Sequence, residues 1–433
     1  MNEAEVDKGL MSCVHCGFCL DACPTYRATG DEADGPRGRL ALMRAVHEGV
    51  LSLSDQEAML PGGVGYHLDR CLGCRACETA CPSGVPYGRL LEHYRDEQEA
   101  VVRRPAGERL LRGSLLNLLT HPSRMALALR AGRLAGGRIP GPAARFVGLP
   151  ADTRMPLPAD LGEAGRPVPE FTAARGEKRG TVVLLSGCVM RVLYSPVHHA
   201  TVRVLSACGY DVACPPSQGC CGALHGHQGQ LGTAEELACQ LISDLEAIPC
   251  DAILLNSAGC GSFVKDYGHL LADDPRWADR AAAFSGKIRD ISEFLDEVGA
   301  PAPTGRIDAR VTYHDACHLR HGQRIADAPR RLLQSIPGLA YVELADADQC
   351  CGSAGVYNYL EPDMARTLLD KKVDAILATG ASIVATANPG CLAWIEQGIA
   401  ERVRRGTLPA TSRAPRIVHP IELLDEAWGR DAG

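Results

Sequence analysis

The stretches TVVLLSGC (181–188), AILLNSAGC (252–260), VTYHDAC (311–317) and SIVATANPGC (382–391) decide the fold. Each opens on a short run rich in aliphatic and β-branched residues and closes on a cysteine. Short apolar runs without polar alternation read as strands buried on both faces. Helical patterns follow them, as in SPVHHATVRVLSAC (195–208). Strands alternating with helices imply parallel βαβ units. Ligand sites in such sheets lie beyond the carboxyl ends of the strands, where these cysteines fall. The region is also an internal repeat. Cys188, the Cys220-Cys221-Gly222 motif and Cys260 return as Cys317, Cys350-Cys351-Gly352 and Cys391, at offsets of 129, 130 and 131 residues. Core packing does not demand such spacing, and adjacent cysteines make strained disulfides. As neighbouring thiolates they can grip two irons of one cluster, so these eight residues are read as metal ligands, holding a further iron–sulfur cluster or zinc.

Outward from the repeat, the first hundred residues carry a second cysteine pattern. Cys13, Cys16, Cys19 and Cys23 are followed by Pro24, and Cys71, Cys74, Cys77 and Cys81 by Pro82. This is C-x2-C-x2-C-x3-C-P written twice, the run of bacterial two-cluster ferredoxins, in which the fourth cysteine serves the other cluster. Three thiolates on one tight turn hold three corners of a cube, and the fourth has moved into the next segment. The expected [4Fe–4S] ligand sets are therefore Cys13, Cys16, Cys19 and Cys81, and Cys71, Cys74, Cys77 and Cys23. Gly17 and Gly73 lie in the loops, where backbone amides can approach sulfur. His15 reads as a polar neighbour. Between the runs, DGPRGRLALMRAVHEG (34–49) reads as a turn and an amphipathic helix from about Arg37 to Glu48. That insertion predicts a mainly helical ferredoxin-like domain.

The chain has 433 residues, net charge −7, 46% apolar residues and 20 cysteines. That balance suits a globular protein and gives no basis for nucleic-acid binding. The start, MNEAEVDKGLMSC, is no secretory signal, and no run of 18 apolar residues occurs. A cytoplasmic location follows as the expectation, and there clustered thiols bind metal or do redox work. From Arg103 to Arg145 there are nine Arg against one acid, Glu108. RLLRGSLLNLLTHPSRMALALRAGRL (109–134) has helical spacing and reads as a basic amphipathic connector. Its apolar face packs on the chain's own domains or a partner, or else rests on the inner face of a membrane. Pro and Gly from Ile139 to Phe171 mark a linker. The expected division is 1–100 ferredoxin-type, 101–178 connector and linker, 179–300 first repeat and 301–433 second repeat. Cys208, Cys214, Cys239 and Cys250 have no counterpart across the repeat and read as ordinary thiols. His225 and His227 follow the first cysteine pair, and His314, His318 and His321 surround Cys317. They are expected to hydrogen-bond around the sites, with a nitrogen ligand as the alternative.

Two ferredoxin runs followed by two CCG repeats resemble the iron–sulfur subunits of the heterodisulfide-reductase-like group. The wording SCVHCGFC, DGPRGR, LDRCLGCRACETACPSGVPYG, SAGCGSFVKDYGHLL and CCGSAGVYNYLEPDMA is similar to that of glycolate oxidase (glycolate dehydrogenase) iron–sulfur subunits, over nearly the whole chain. The resemblance implies a division of labour. FAD-containing partner subunits oxidise glycolate, and this chain carries the electrons to a quinone or other acceptor. GGVG near Gly62 and GHQGQLG near Gly226 lack the strand-then-helix context of a dinucleotide site, so FAD is expected only in the partners. Iron–sulfur subunits of glycerol-3-phosphate or lactate dehydrogenases are alternatives within the resemblance. A thiol–disulfide reductase acting at the CCG sites is another. Against that last reading, the C-x-x-C ending of heterodisulfide reductase is missing: Phe263 and Trp394 stand three residues after Cys260 and Cys391.

Overall fold

The computed structural model describes residues 1–134, 165–408 and 413–429. Its carboxyl-terminal part holds two sheets. The first comprises β1 (Phe171–Thr172), β2 (Gly180–Leu185), β3 (Tyr210–Ala213), β4 (Ala252–Leu255) and β5 (Ile288–Asp290), in the order β1-β3-β2-β4-β5. The second comprises β6 (Ala309–Tyr313), β7 (Leu339–Val342), β8 (Ile383–Ala385) and β9 (Arg416–Val418), in the order β7-β6-β8-β9. All pairings are parallel except that of β1 with β3. Without its antiparallel edge strand, the first sheet has the strand order of the second. The sequence duplication is thus a duplication of folded units.

Burial explains why these runs become strands. Val182 to Leu185 in β2 and Ile253 to Leu255 in β4 are buried on both faces. Their side chains alternate between two cores. Val182, Leu184 and Leu254 share a core with Val311 and Tyr313 of the other sheet and with Leu205, Leu333 and Leu424 from flanking helices. Val183, Leu185, Ile253 and Leu255 face the opposite side, against helix 231–245. Each fully buried aliphatic side chain is worth about 1.5–3 kcal/mol. The shared core therefore binds the two halves into one body.

The strands stop short of the cysteines. β2 ends three residues before Cys188, and Cys260 and Cys391 lie in the first turns of helices Ala258–Lys265 and Pro389–Arg404. Each cysteine thus lies just beyond the carboxyl end of its strand. In each case the strand ends where the chain must turn, and Asn, Ser, Gly or Pro takes over before the helix begins.

Among the described residues, 1–134 contain helices and no strand. The predicted helix after DGPRGR spans Pro36–His47. The helical connector is two helices, Ala106–Leu119 and Pro122–Leu134. Pro122 disfavours helical geometry at the residue before it and lacks an N–H to continue the ladder. Leu111, Leu116, Met125 and Leu129 are buried, the last two in the core shared by the halves. The apolar face is spent largely inside the molecule. The reading of a linker over 139–164 lies outside the described residues.

One buried carboxyl gives a testable stability effect. Asp290 ends β5 and caps helix Ile291–Glu297, its Oδ1 accepting from Ser292 N at 2.8 Å. Its Oδ2 is buried without a hydrogen-bond partner. Burial pushes its pKa up to about 6 from 3.8. The folded state therefore holds this proton more tightly than the unfolded chain, and stability falls as pH rises from about 4 through 6. The full difference is about 3 kcal/mol at neutral pH. Asn caps equally well but brings its own unpaired donor, which costs about 1 kcal/mol. Asp290→Asn is expected to stabilise by about 2 kcal/mol at pH 8 in chemical denaturation and to give no gain at pH 4. Equal shifts at both pH values would refute the account of this group.

Candidate metal centres

All 20 cysteines are free thiols, and sixteen of them line three cavities. Cys13, Cys16, Cys19 and Cys81 line one small cavity. Cys23, Cys71, Cys74 and Cys77 line a second. Each fourth cysteine thus lies beside the other loop, Cys81 with the first and Cys23 with the second. This arises because helices Phe18–Ala22 and Ala76–Ala80 turn each fourth cysteine out of its own loop. The two loops repeat one backbone trick. His15 and Gly17 in the first, and Gly73 and Arg75 in the second, have positive φ at matching positions. Left-handed residues wrap the loop tightly enough for amides to face sulfur, and Gly73 N lies 3.5 Å from Cys71 Sγ. Glycine is thus used at only one of the two left-handed positions in each loop.

The first cavity is at the surface, where Cys16, Val14 and Phe18 are exposed. The second is deep. Burial pushes the thiols of Cys74 and Cys77 well up, and the charge of Cys317 adds to the effect on Cys74. Cys19, half-way between, is pushed up to about 11 by burial. A buried set of neutral thiols is a poor polar core, and a metal cation reverses its logic by binding the thiolates. Four convergent thiols, with no disulfide among them, fit the donor set of a [4Fe–4S] cluster.

All eight repeat cysteines line a single larger cavity of about 210 Å³ between the two halves. In the first half Cys188 donates to Cys220 at 3.5 Å, which holds Cys220 well below and Cys188 well above the ordinary thiol range. In the second, Cys351 donates to Cys391 at 3.5 Å. The glycine of each CCG motif has a physical reason. Gly222 and Gly352 have φ of 81° and 90°, and their amides lie 3.5 Å from Cys220 and Cys350 Sγ. A Cβ there would meet the carbonyls of Ala234 and Ala365 at 2.9 and 2.6 Å. Cys208 and Cys214 are buried in the core, and Cys239 and Cys250 are half-buried on the other side of the first sheet.

The three cavities are contiguous. Cys77 lines both ferredoxin-type cavities, and Cys71 lines the second of them and the large cavity. Three of the histidines flagged by the sequence tie the ferredoxin-type domain to the CCG halves. His318 Nε2 donates to Gly73 O at 2.9 Å, and His321 Nδ1 meets Thr79 Oγ1 at 3.0 Å. His227 Nδ1 pairs with Glu92 at 2.7 Å, and His225 Nδ1 bonds Gln230 at 2.7 Å. His15 is exposed, its carbonyl accepting from Arg37. His314 is fully buried with Nδ1 on Ala347 O at 3.1 Å.

Other residues at the sites were not singled out from the sequence. Arg39 is wholly buried beside Cys23 and Cys71. Tyr87 donates to Cys71 Sγ at 3.6 Å. Arg95 donates to the carbonyls of Leu68 and Cys71 with one nitrogen and to His227 O with the other, tying the ferredoxin-type domain to the first half. A signal for Arg39 was present: it shares the stripe of Pro36, Leu40 and Met43, the buried face of its helix.

The chain matches the family model of the 4Fe-4S dicluster domain over residues 9–85 and that of the cysteine-rich CCG domain over 182–265 and 311–396. It is 40% identical to the "Probable glycolate oxidase iron-sulfur subunit" of Bacillus subtilis, covering 98% of this chain and 95% of that relative. It is 37% identical to the "Glycolate oxidase iron-sulfur subunit" of Escherichia coli, covering 99% and 96%. A crystal structure of a hypothetical protein from Helicobacter pylori shares the fold with a TM-score of 0.57 at 9% identity, covering 99% of this chain and 77% of that one. The crossed thiol sets, the facing CCG halves and these full-length similarities agree: the chain belongs to the family of glycolate oxidase iron–sulfur subunits.

Proposed function

We propose that this chain is the electron-carrying iron–sulfur subunit of a flavin-dependent glycolate (2-hydroxy acid) dehydrogenase complex. FAD sits in the partner subunits, and a quinone or other acceptor takes the electrons. The observation that supports this best is the unbroken row of thiol sites, from the exposed Cys16 through Cys77 and Cys71 to the cavity between the halves. A subunit that only stabilised a complex would have no use for such a row.

Bound clusters supply reversible one-electron chemistry at each site. The chain's residues do the rest. Cys13, Cys16, Cys19 and Cys81 would hold the outer [4Fe–4S] cluster, and Cys71, Cys74, Cys77 and Cys23 the inner one. Cys188, Cys220, Cys221 and Cys260, with Cys317, Cys350, Cys351 and Cys391, would hold a further iron–sulfur cluster or zinc. Val14 and Phe18 present an apolar collar at the outer site that suits contact with a partner. Arg39 and Tyr87 place a charge and an O–H beside the inner thiols. No helix among the described residues is long and apolar enough to cross a membrane. A cytoplasmic location, with peripheral contact at the inner face of the membrane, is part of the proposal.

The test is reconstitution with and without this chain. Flavin subunits alone should be bleached by glycolate yet fail to reduce a quinone analogue, and adding the chain should restore that reduction. Equal quinone reduction without the chain would sink the proposal.

One observation favours a second reading. The 210 Å³ cavity faces both thiol sets and has mostly apolar walls, as a site for disulfide reduction would. Heterodisulfide turnover by the isolated chain with reduced viologen would establish that reading, and its absence would remove it.

A further inference from the structure

The two halves are not chemically equal. His314 stands three residues before Cys317, where the first half has Leu185 three residues before Cys188. Both follow or close the matching strand, β6 or β2. A ring nitrogen of His314 and the Sγ atoms of Cys351 and Cys391 all lie within 4.8 Å of one another, and all three residues are buried. Among the described residues it is the one place where a histidine nitrogen and two thiols converge this closely.

The hydrogen bonds say which nitrogen is free. Nδ1 faces the Ala347 carbonyl at 3.1 Å, so Nδ1 carries the hydrogen. Nε2 of the neutral ring is then a bare lone pair. It is buried without any hydrogen-bond partner. Neither thiol is turned to it: Cys351 donates to Cys391. A lone pair left unmet in a core is destabilising, because the group has lost its water without gaining a partner. Metal-binding imidazoles show this arrangement, one nitrogen fixed by a carbonyl and the other aimed at the ion. The buried histidine near the first half differs. His198 has Nε2 on Ser186 O at 2.9 Å and Nδ1 on Asn256 Nδ2 at 3.0 Å.

We propose that His314 Nε2 is a metal ligand in the second CCG half, which makes that site a mixed thiolate–imidazole centre while the first half remains all-thiolate. The inference rests on the reading that the second half holds metal, and is independent of glycolate as the donor.

The experiment uses the full chain, loaded anaerobically with iron and sulfide, its iron and zinc counted, then reduced and read by pulsed EPR for nitrogen hyperfine coupling. If the second half retains zinc, the same reading is made on cobalt(II) put in its place. Wild type should show a directly bound imidazole nitrogen. His314→Leu copies the first half's residue and should lose that coupling, releasing the second-half metal to a chelator at least ~10-fold faster. Cys188→Ser should keep it. A loaded second site without bound nitrogen, a coupling unchanged in His314→Leu, or a second half that takes up no metal would each overturn the inference. Glycolate-driven electron transfer is read separately, so its failure cannot be mistaken for this one.

Discussion

Changing Cys13 and Cys71 together to Ser is expected to cut glycolate-dependent quinone reduction by the assembled complex on the order of 10²-fold or more, because both ferredoxin-type sites lose a soft thiolate ligand. The partner's flavin should still be reduced by glycolate. The two positions are chosen because each disables a different site. Cys13 belongs to the exposed set, and Cys71 lines both the inner site and the cavity between the halves. The crossed partition gives the prediction a sharper form. Cys23→Ser should damage the site of Cys71, Cys74 and Cys77 and spare that of Cys13, Cys16 and Cys19, although Cys23 stands in the same motif as the latter. Circular dichroism separates loss of clusters from loss of fold. Undiminished quinone reduction by the double variant would mean that electrons bypass the ferredoxin-type domain.

The second large effect is expected at Arg39. Its guanidinium is fully buried and donates to His67 O at 2.7 Å, Thr25 Oγ1 at 3.1 Å and Asp34 Oδ1 at 3.4 Å. Asp34 also meets Arg70 at 3.2 Å and His67 Nδ1 at 2.9 Å. Burial alone would raise Asp34, but His67, Arg39 and Arg70 hold it down at about 2. Thr25 in turn contacts Cys23 Sγ at 3.2 Å. The network therefore braces Cys23, the one thiol of the inner cavity that comes from the other motif. Arg39→Met removes a partner from buried polar groups, and about 3 kcal/mol of stability should go with it. It also removes a cation from beside the inner thiols. A unit charge at that range is worth about 1–2 kcal/mol, or on the order of 50–100 mV for one electron. A positive neighbour favours the reduced form, so the midpoint potential of the inner centre should fall. Arg39→Lys keeps the charge but not the fork, so it should lose stability while holding the potential better. If the inner potential is the same in Arg39→Met as in wild type, the electrostatic role is wrong.

Much of this arrangement was legible in the sequence because cysteine spacing is a geometric statement. The x2, x2, x3 intervals point to Cys81 joining the first loop and Cys23 the second, and in the fold Cys81 lines a cavity with Cys13, Cys16 and Cys19 while Cys23 lines one with Cys71, Cys74 and Cys77. The offsets of 129 to 131 residues foretold two like sheets. The aliphatic runs before Cys188, Cys260, Cys317 and Cys391 marked the inner strands. What escaped was what spacing cannot encode. Arg39 sits on the apolar stripe of its helix, but the stripe alone does not show that the guanidinium is buried beside thiols. Across Pro122 the leucine spacing continues unbroken, so periodicity alone does not mark the end of helix Ala106–Leu119. Leu185 and His314 occupy matching places, yet only the fold shows that one fills a core while the other brings a ring nitrogen near two thiols. The meeting of both CCG sets at one cavity is likewise a fact of how the halves face each other, with Ala258 N bonded to Ala387 O across the join at 3.0 Å.

The measurement that bears most directly on electron carriage is an anaerobic glycolate titration of the complete complex, followed by EPR with iron counted per chain. The account predicts that glycolate generates reduced iron–sulfur signals on this chain, and that these vanish when quinone is added. Flavin bleaching at every glycolate concentration with no iron–sulfur signal, in protein shown to contain its iron, would contradict it.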